Sequence, residues 1–123
     1  MKKKRILVVD DEVGFTRLLS LNLAYQFFVR VENSPEKALS AAIEFKPDLI
    51  LLDVMMPQLD GGELAAQMRN TPELKHVPIV FLTAAAVKGE VASRGGKIGG
   101  FPFLAKPVSV EDLRACIEKQ LGN

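Results

Sequence analysis

The sequence predicts an α/β fold, a parallel sheet with helices packed on both of its faces. Three observations predict it. Apolar runs of strand length alternate, five times over, with stretches in which apolar residues return every three or four positions. The first, third and fourth of those runs are apolar throughout, the pattern of strands buried on both faces. The chain has 123 residues, 48% of them apolar, which suits one domain around one core and is too apolar for disorder.

Each element follows in order. Arg5-Ile6-Leu7-Val8-Val9 is the first strand and runs into Asp10-Asp11. Phe15, Leu18, Leu19, Leu21 and Leu23 mark a helix buried on one side. Phe27-Phe28-Val29-Arg30-Val31 is the second strand. Ser34-Pro35 then reads as an N-cap with proline at the first helical position, and Ala38, Leu39, Ala42 and Ile43 form that helix's apolar stripe. Asp48 to Asp53 is the third strand, and Gly61-Gly62 leads into a helix carrying Leu64, Ala65 and Met68.

The fourth strand, Val77 to Leu82, is entered through Pro78. Residues 86–100 carry a weak signal. Phe101 to Leu104 is a short fifth strand, and Pro102 inside it places it at a sheet edge, where a missing N–H is tolerated. Ser109-Val110-Glu111-Asp112 reads as a cap with an acid at the third helical position, opening a last helix through Leu113, Ile117 and Leu121.

Charge and composition exclude several function classes. Lys and Arg number 16 against 15 Asp and Glu, a net of +1, so no field of one sign favours wholesale binding to nucleic acid or to a membrane. The basic run Lys2-Lys3-Lys4-Arg5 reads as a solvated tail, and the apolar run behind it is too short for a secretory signal. No segment approaches the ~18 apolar residues of a membrane span. The single cysteine, Cys116, has no internal disulfide partner and reads as a small core residue, which fits a reducing cytoplasm. His76, in the polar lead-in to the fourth strand, reads as a surface residue.

The carboxyl ends of the strands hold the chemistry, since ligands of such sheets gather there. The first strand delivers Asp10 and Asp11, with Glu12 following. The third runs four apolar residues, Leu49 to Leu52, straight into Asp53. The fourth delivers Thr83 and then the small Ala84-Ala85-Ala86, and the fifth delivers Lys106-Pro107. Any one of these residues alone reads as an ordinary strand end, cap or surface charge; their gathering at four strand ends does not. Three carboxylates in one cleft repel unless a cation stands among them. An all-oxygen donor set selects a hard ion such as Mg²⁺. Beside it, Asp53 is placed as a nucleophile toward phosphorus, with Thr83 and Lys106 to meet the remaining oxygens.

These residues resemble the receiver domain of two-component response regulators, through VVDDE, LLDVMMPQLDG, FLTA and FLAKP, over essentially the whole chain. The resemblance implies a flavodoxin-like, doubly wound five-stranded parallel sheet of order 2-1-3-4-5, with residues 1–123 a single receiver domain. No output module is read in this sequence, which is expected to be either a single-domain shuttle that works by docking or a receiver excised from a longer chain. It implies that Asp53 is the phosphoacceptor, supplied by a histidine kinase or a histidine phosphotransfer protein. Asp10, Asp11, Asp53 and the backbone carbonyl of Met55 would hold Mg²⁺. Thr83 and Lys106 would bind the phosphoryl oxygens, with Ala84 small enough to leave room. Thr83 and Phe103 would form the switch, and the Lys106-Pro107 peptide would be cis. A downstream protein would dock on the face made by the fourth helix, fifth strand and fifth helix, without direct contact with nucleic acid or membrane, in the cytoplasm.

Some residues depart from the pattern. The glycines at 89, 95, 96, 99 and 100 predict a short or mobile fourth helix or a long ordered loop in its place, the other reading being that they make tight turns. Phe103 stands where tyrosine is more usual and has no hydroxyl. Met55 and Ala85 offer nothing to position an attacking water, so the phosphoryl group is expected to be long-lived. The main rival is a Mg²⁺-dependent phosphohydrolase with an aspartate nucleophile, which wants Asp-x-Asp after the first strand; Asp10-Asp11-Glu12 does not supply it. A flavodoxin-like nucleotide or flavin binder would want a Gly- or Ser/Thr-rich phosphate loop at the same place. A phosphorylation-independent interaction module would not require the acidic set, Thr83 and Lys106.

Overall fold

A computed structural model of the chain describes residues 3–56, 59–83, 97–98 and 101–122. Five strands lie parallel in one sheet: β1 (Lys4–Val9), β2 (Phe27–Glu32), β3 (Leu49–Asp53), β4 (Ile79–Thr83) and β5 (Phe101–Ala105). Their order is β2-β1-β3-β4-β5, as expected. Strand β1 pairs with β2 on one side and β3 on the other, so the winding reverses between β1 and β3 and opens a crevice beyond their carboxyl ends.

Period-two alternation divides the core into two halves, one on each face of the sheet. Leu7, Val9, Ile50, Leu52, Ile79 and Phe81 point to one face, where Leu64, Ala65 and Met68 pack on them. Ile6, Val8, Leu49, Leu51, Val80 and Leu82 point to the other, against Leu19, Leu23, Leu113 and Ile117. The central strands β3 and β4 are buried along their whole length, as their unbroken apolar runs require.

The helices among the described residues are α1 (Val13–Leu23), α2 (Ala38–Phe45), α3 (Gly61–Arg69) and α4 (Val110–Gln120). The last one begins as expected, with the Ser109 hydroxyl accepting from the Asp112 N–H. Cys116 is half-buried against the second core half, and His76 is exposed. Three readings need correction. Leu18 and Leu21 do not belong to the buried stripe of α1. Its inner face carries Thr16, Leu19 and Leu23, and a 3.6-residue period turns positions 18 and 21 to the opposite side. Ser34 makes no side-chain cap. A single 3-10 turn, Pro35–Lys37, intervenes before α2 starts at Ala38.

The third correction concerns the sheet edge. Lys97–Ile98 adds a two-residue antiparallel ladder outside β5, opposite Pro102 and Phe101. An antiparallel pair alternates bonded and unbonded positions, so a proline is accommodated there. The remainder of the segment read as a fourth helix, with its glycines and Ala84 to Ala86, lies outside the described residues.

Candidate functional site

The crevice is built by four strand ends. Asp10 is the residue after β1, Asp53 closes β3, Thr83 closes β4, and Lys106 follows β5. Asp10, Asp53 and Thr83 are buried, 0%, 3% and 1% exposed. One carboxylate oxygen from each of Asp10, Asp11 and Asp53 lies within 4.8 Å of the others. The structure therefore brings together the three acids that the sequence singles out. The set is hard, anionic and all-oxygen, which fits a divalent cation of the Mg²⁺ kind.

Lys106 closes the site from the far strand. Its ammonium donates to Asp10 Oδ2 at 2.6 Å and to Glu12 Oε1 at 3.0 Å, and lies 3.8 Å from Asp53 Oδ2. It also stands 4.2 Å from the centre of the Phe15 ring, so an aromatic face flanks the charge. The Lys106 N–H donates to the Thr83 carbonyl at 2.7 Å, which fixes the lysine beside the end of β4. The Lys106–Pro107 peptide is cis.

Burial pushes the Asp53 carboxyl up to about 6; the Met55 N–H, donating to Asp53 Oδ1 at 3.0 Å, opposes this, Asp10 adds to it, and Lys106 pulls it back down. For Lys106 burial acts downward, but its bonds to Asp10 and Glu12 and the Asp10 and Asp53 charges outweigh it, so its pKa stands above the ordinary lysine value. Each group's ionisation is thus tied to the other's, as expected of a compact site of mixed charge.

The loop after Asp53 folds back through a two-residue ladder, Met55–Met56 against Leu59–Asp60. Asp60 caps α3 by accepting from the Gly62 N–H at 2.8 Å. Between them Gly61 passes so close that a Cβ there would lie 2.5 Å from the Asp53 carbonyl oxygen. Glycine is needed at that point for space. Phe103, three residues before Lys106, pairs with Phe81 across β4 and β5 and is half-buried against the first core half. Its neighbour Phe101 meets Phe81 edge-on at 5.3 Å and lies beneath the Arg69 guanidinium.

Residues 6–118 match the model of the response regulator receiver domain. The chain belongs to this family. Among similar proteins, this receiver domain is 33% identical over 124 residues to the polar-differentiation response regulator DivK of Brucella anthropi, covering 100% of this chain and 99% of that one. The receiver domain of sensor histidine kinase PA1611 from Pseudomonas aeruginosa, solved with a magnesium ion in its active site cleft, superposes with a TM-score of 0.83. The two are 25% identical over 99% of this chain and 100% of that one. The chemotaxis response regulator CheY4 of Vibrio cholerae gives 0.82 at 27% identity, over 96% and 98%.

Other curated relatives are longer. The receiver domain here spans 26% and 46% of the first two, a probable cyclic di-GMP phosphodiesterase of Vibrio cholerae and a probable transcriptional regulator of Guillardia theta. Family membership supports a phosphoacceptor signalling role and not the phosphohydrolase alternative. A receiver is a signalling domain, not a turnover enzyme. Among the described residues no helix is long and apolar enough to cross a membrane.

Sequence reasoning did not assign three contributors. Glu12 shares Lys106, Phe15 lies under it, and Asn33 bonds the turn that carries the acidic pair. Glu12 is adjacent to the pair and so carried a signal. The other two reach the site only through the packing of α1 on the sheet and the pairing of β2 beside β1, which no local spacing encodes.

Proposed function

We propose that Asp53 takes a phosphoryl group from the phosphohistidine of a histidine kinase or histidine phosphotransfer protein. An Asp53 carboxylate oxygen attacks phosphorus, the phosphorus–nitrogen bond breaks, and the released imidazole takes up a proton, leaving an acyl phosphate. Asp10, Asp11, Asp53 and the Met55 carbonyl are the groups to hold Mg²⁺, which when bound neutralises phosphoryl oxygens and orients them. Thr83 and Lys106 supply the remaining donors to those oxygens. The observation that carries this reading is the meeting of three carboxylate oxygens and one ammonium, drawn from β1, β3 and β5, at a single rim.

Phosphorylation adds roughly −1.5 to −2 charge at Asp53. Lys106 then has a stronger partner than Asp10 and Glu12, and Thr83 a new acceptor. Phe103 lies on β5, which leads to Lys106 and pairs with the Thr83 end of β4, so the rearrangement reaches the face made by β5 and α4, where a downstream protein docks in the cytoplasm. A bias of ~2–3 kcal/mol there changes affinity by tens-fold or more.

Incubation with acetyl phosphate and Mg²⁺ tests the proposal. An acid-stable, hydroxylamine-labile adduct is expected on the wild-type chain and absent from Asp53→Asn. An adduct that survives this substitution, or phosphate-ester turnover with no adduct, overturns it.

A further inference from the structure

Among the described residues the buried polar side chains are Asp10, Asp53, Thr83 and one more, Thr16. The first three belong to the site. Thr16 sits inside α1, where its hydroxyl donates back to Val13 and Glu12 carbonyls at 3.0 and 3.2 Å. That leaves its oxygen lone pairs to be satisfied from elsewhere, and the donor is Asn33, from the loop after β2.

Asn33 Nδ2 donates to Thr16 Oγ1 and to the Asp10 carbonyl oxygen, each at 2.9 Å. The carbonyl is an acceptor only, so the amide nitrogen and not its oxygen must face it. One amide proton thus holds the near end of the Asp10–Glu12 turn directly, and the other holds its far end through the Thr16 hydroxyl, which donates to the Glu12 carbonyl. On the near end, the Asp10 N–H also donates to the Glu32 carbonyl at 3.2 Å, and Asp10 Oδ1 accepts from the Glu12 N–H at 3.0 Å. On the far end, the Glu12 carbonyl receives the Thr16 N–H at 3.1 Å as well as its hydroxyl. Asp11 lies between two anchored residues. Its carboxylate is one of the three that converge, and its place is set by a backbone that Asn33 holds from both sides.

We propose that Asn33 and Thr16 are positioning residues for the divalent-cation site: through the Asp10–Glu12 turn they hold the Asp11 carboxylate against those of Asp10 and Asp53. The inference rests on the reading of that site as a Mg²⁺ site. Neither residue offers the ion a ligand. Groups that orient ligands in this way commonly change metal affinity about 10–100-fold when removed.

Calorimetric titration of the metal-free chain with MgCl₂, without any phosphodonor, tests it beside thermal melts of each variant. Asn33→Ala and Thr16→Val are expected to bind Mg²⁺ about tenfold more weakly. Thr16→Ser, which keeps the hydroxyl, is expected within about twofold of wild type, and the double variant no weaker than Asn33→Ala alone, because that substitution already breaks both bonds. Should Asn33→Ala fail to melt cooperatively, the nearly isosteric Thr16→Val carries the same test. Cooperatively folded variants that bind Mg²⁺ as tightly as wild type overturn the inference alone. A wild-type chain that binds no Mg²⁺ overturns the site reading and the inference with it.

Discussion

Asp53 is ionised at neutral pH against its own surroundings. Its folded pKa of about 6 lies above the ordinary 3.8, so between those values the folded chain holds a proton that the unfolded chain has released. Stability contributed by this group therefore falls as pH rises from about 4 to about 6, and the penalty is complete above that. Asp53→Asn is expected to unfold at higher urea than wild type at about pH 7.5, by on the order of 1–3 kcal/mol, with the gap closing below about pH 4. Urea titrations at the two pH values check this; an equal gap at both would mean that charge burial is not the cause. Glu12 makes a second prediction. Its carboxylate is 59% exposed, so its bond to Lys106 contributes little to stability, yet it places another negative charge at the rim and occupies the lysine. Glu12→Gln is expected to speed adduct formation from acetyl phosphate, up to about fivefold at low salt and less at high salt. A slower rate, followed by mass spectrometry over time, would mean that Glu12 aids the site.

The helix α3 and its entry turn show how an element can serve a site that it does not line. Asp60 and Gly61 turn the chain directly behind the Asp53 carbonyl. Gly61→Ala forces a methyl group into backbone that cannot give way, with an expected loss of roughly 1–3 kcal/mol in unfolding free energy and slower phosphorylation, because Asp53 must shift. Gly62→Ala meets only the Asp60 carboxylate, at 3.2 Å, and is expected to change both measurements much less. At this scale much was legible in the sequence. Every strand that matters to the site ends an apolar run in a polar residue, and the parallel direction of those strands places these residues on one rim. Ser109 was legible as a cap because its box is local. Ser34 was not, because one 3-10 turn displaces the start of α2. Leu18 and Leu21 were misread because α1 carries leucines on both sides and only the packing partner selects the inner one. Asn33 and Phe15 stayed hidden because their contacts cross between elements.

Across the molecule, the sheet separates two packing layers that share strands but no side chains. Leu19→Ala acts on one layer and Met68→Ala on the other. Each is expected to cost about 2–5 kcal/mol, and the double variant close to their sum, measured by chemical unfolding. A large coupling term would mean that the sheet transmits strain between its faces.

Lys106 gives this layout a consequence for the chain's own synthesis. The amine that balances Asp10 comes from 96 positions further along. A polypeptide interrupted before that residue holds its crowded acids with no amine to answer them and no final strand to deliver one. On the proposed reading, unfinished or clipped copies are therefore expected to accept no phosphoryl group, since neither the amine nor the strand that delivers it has been made.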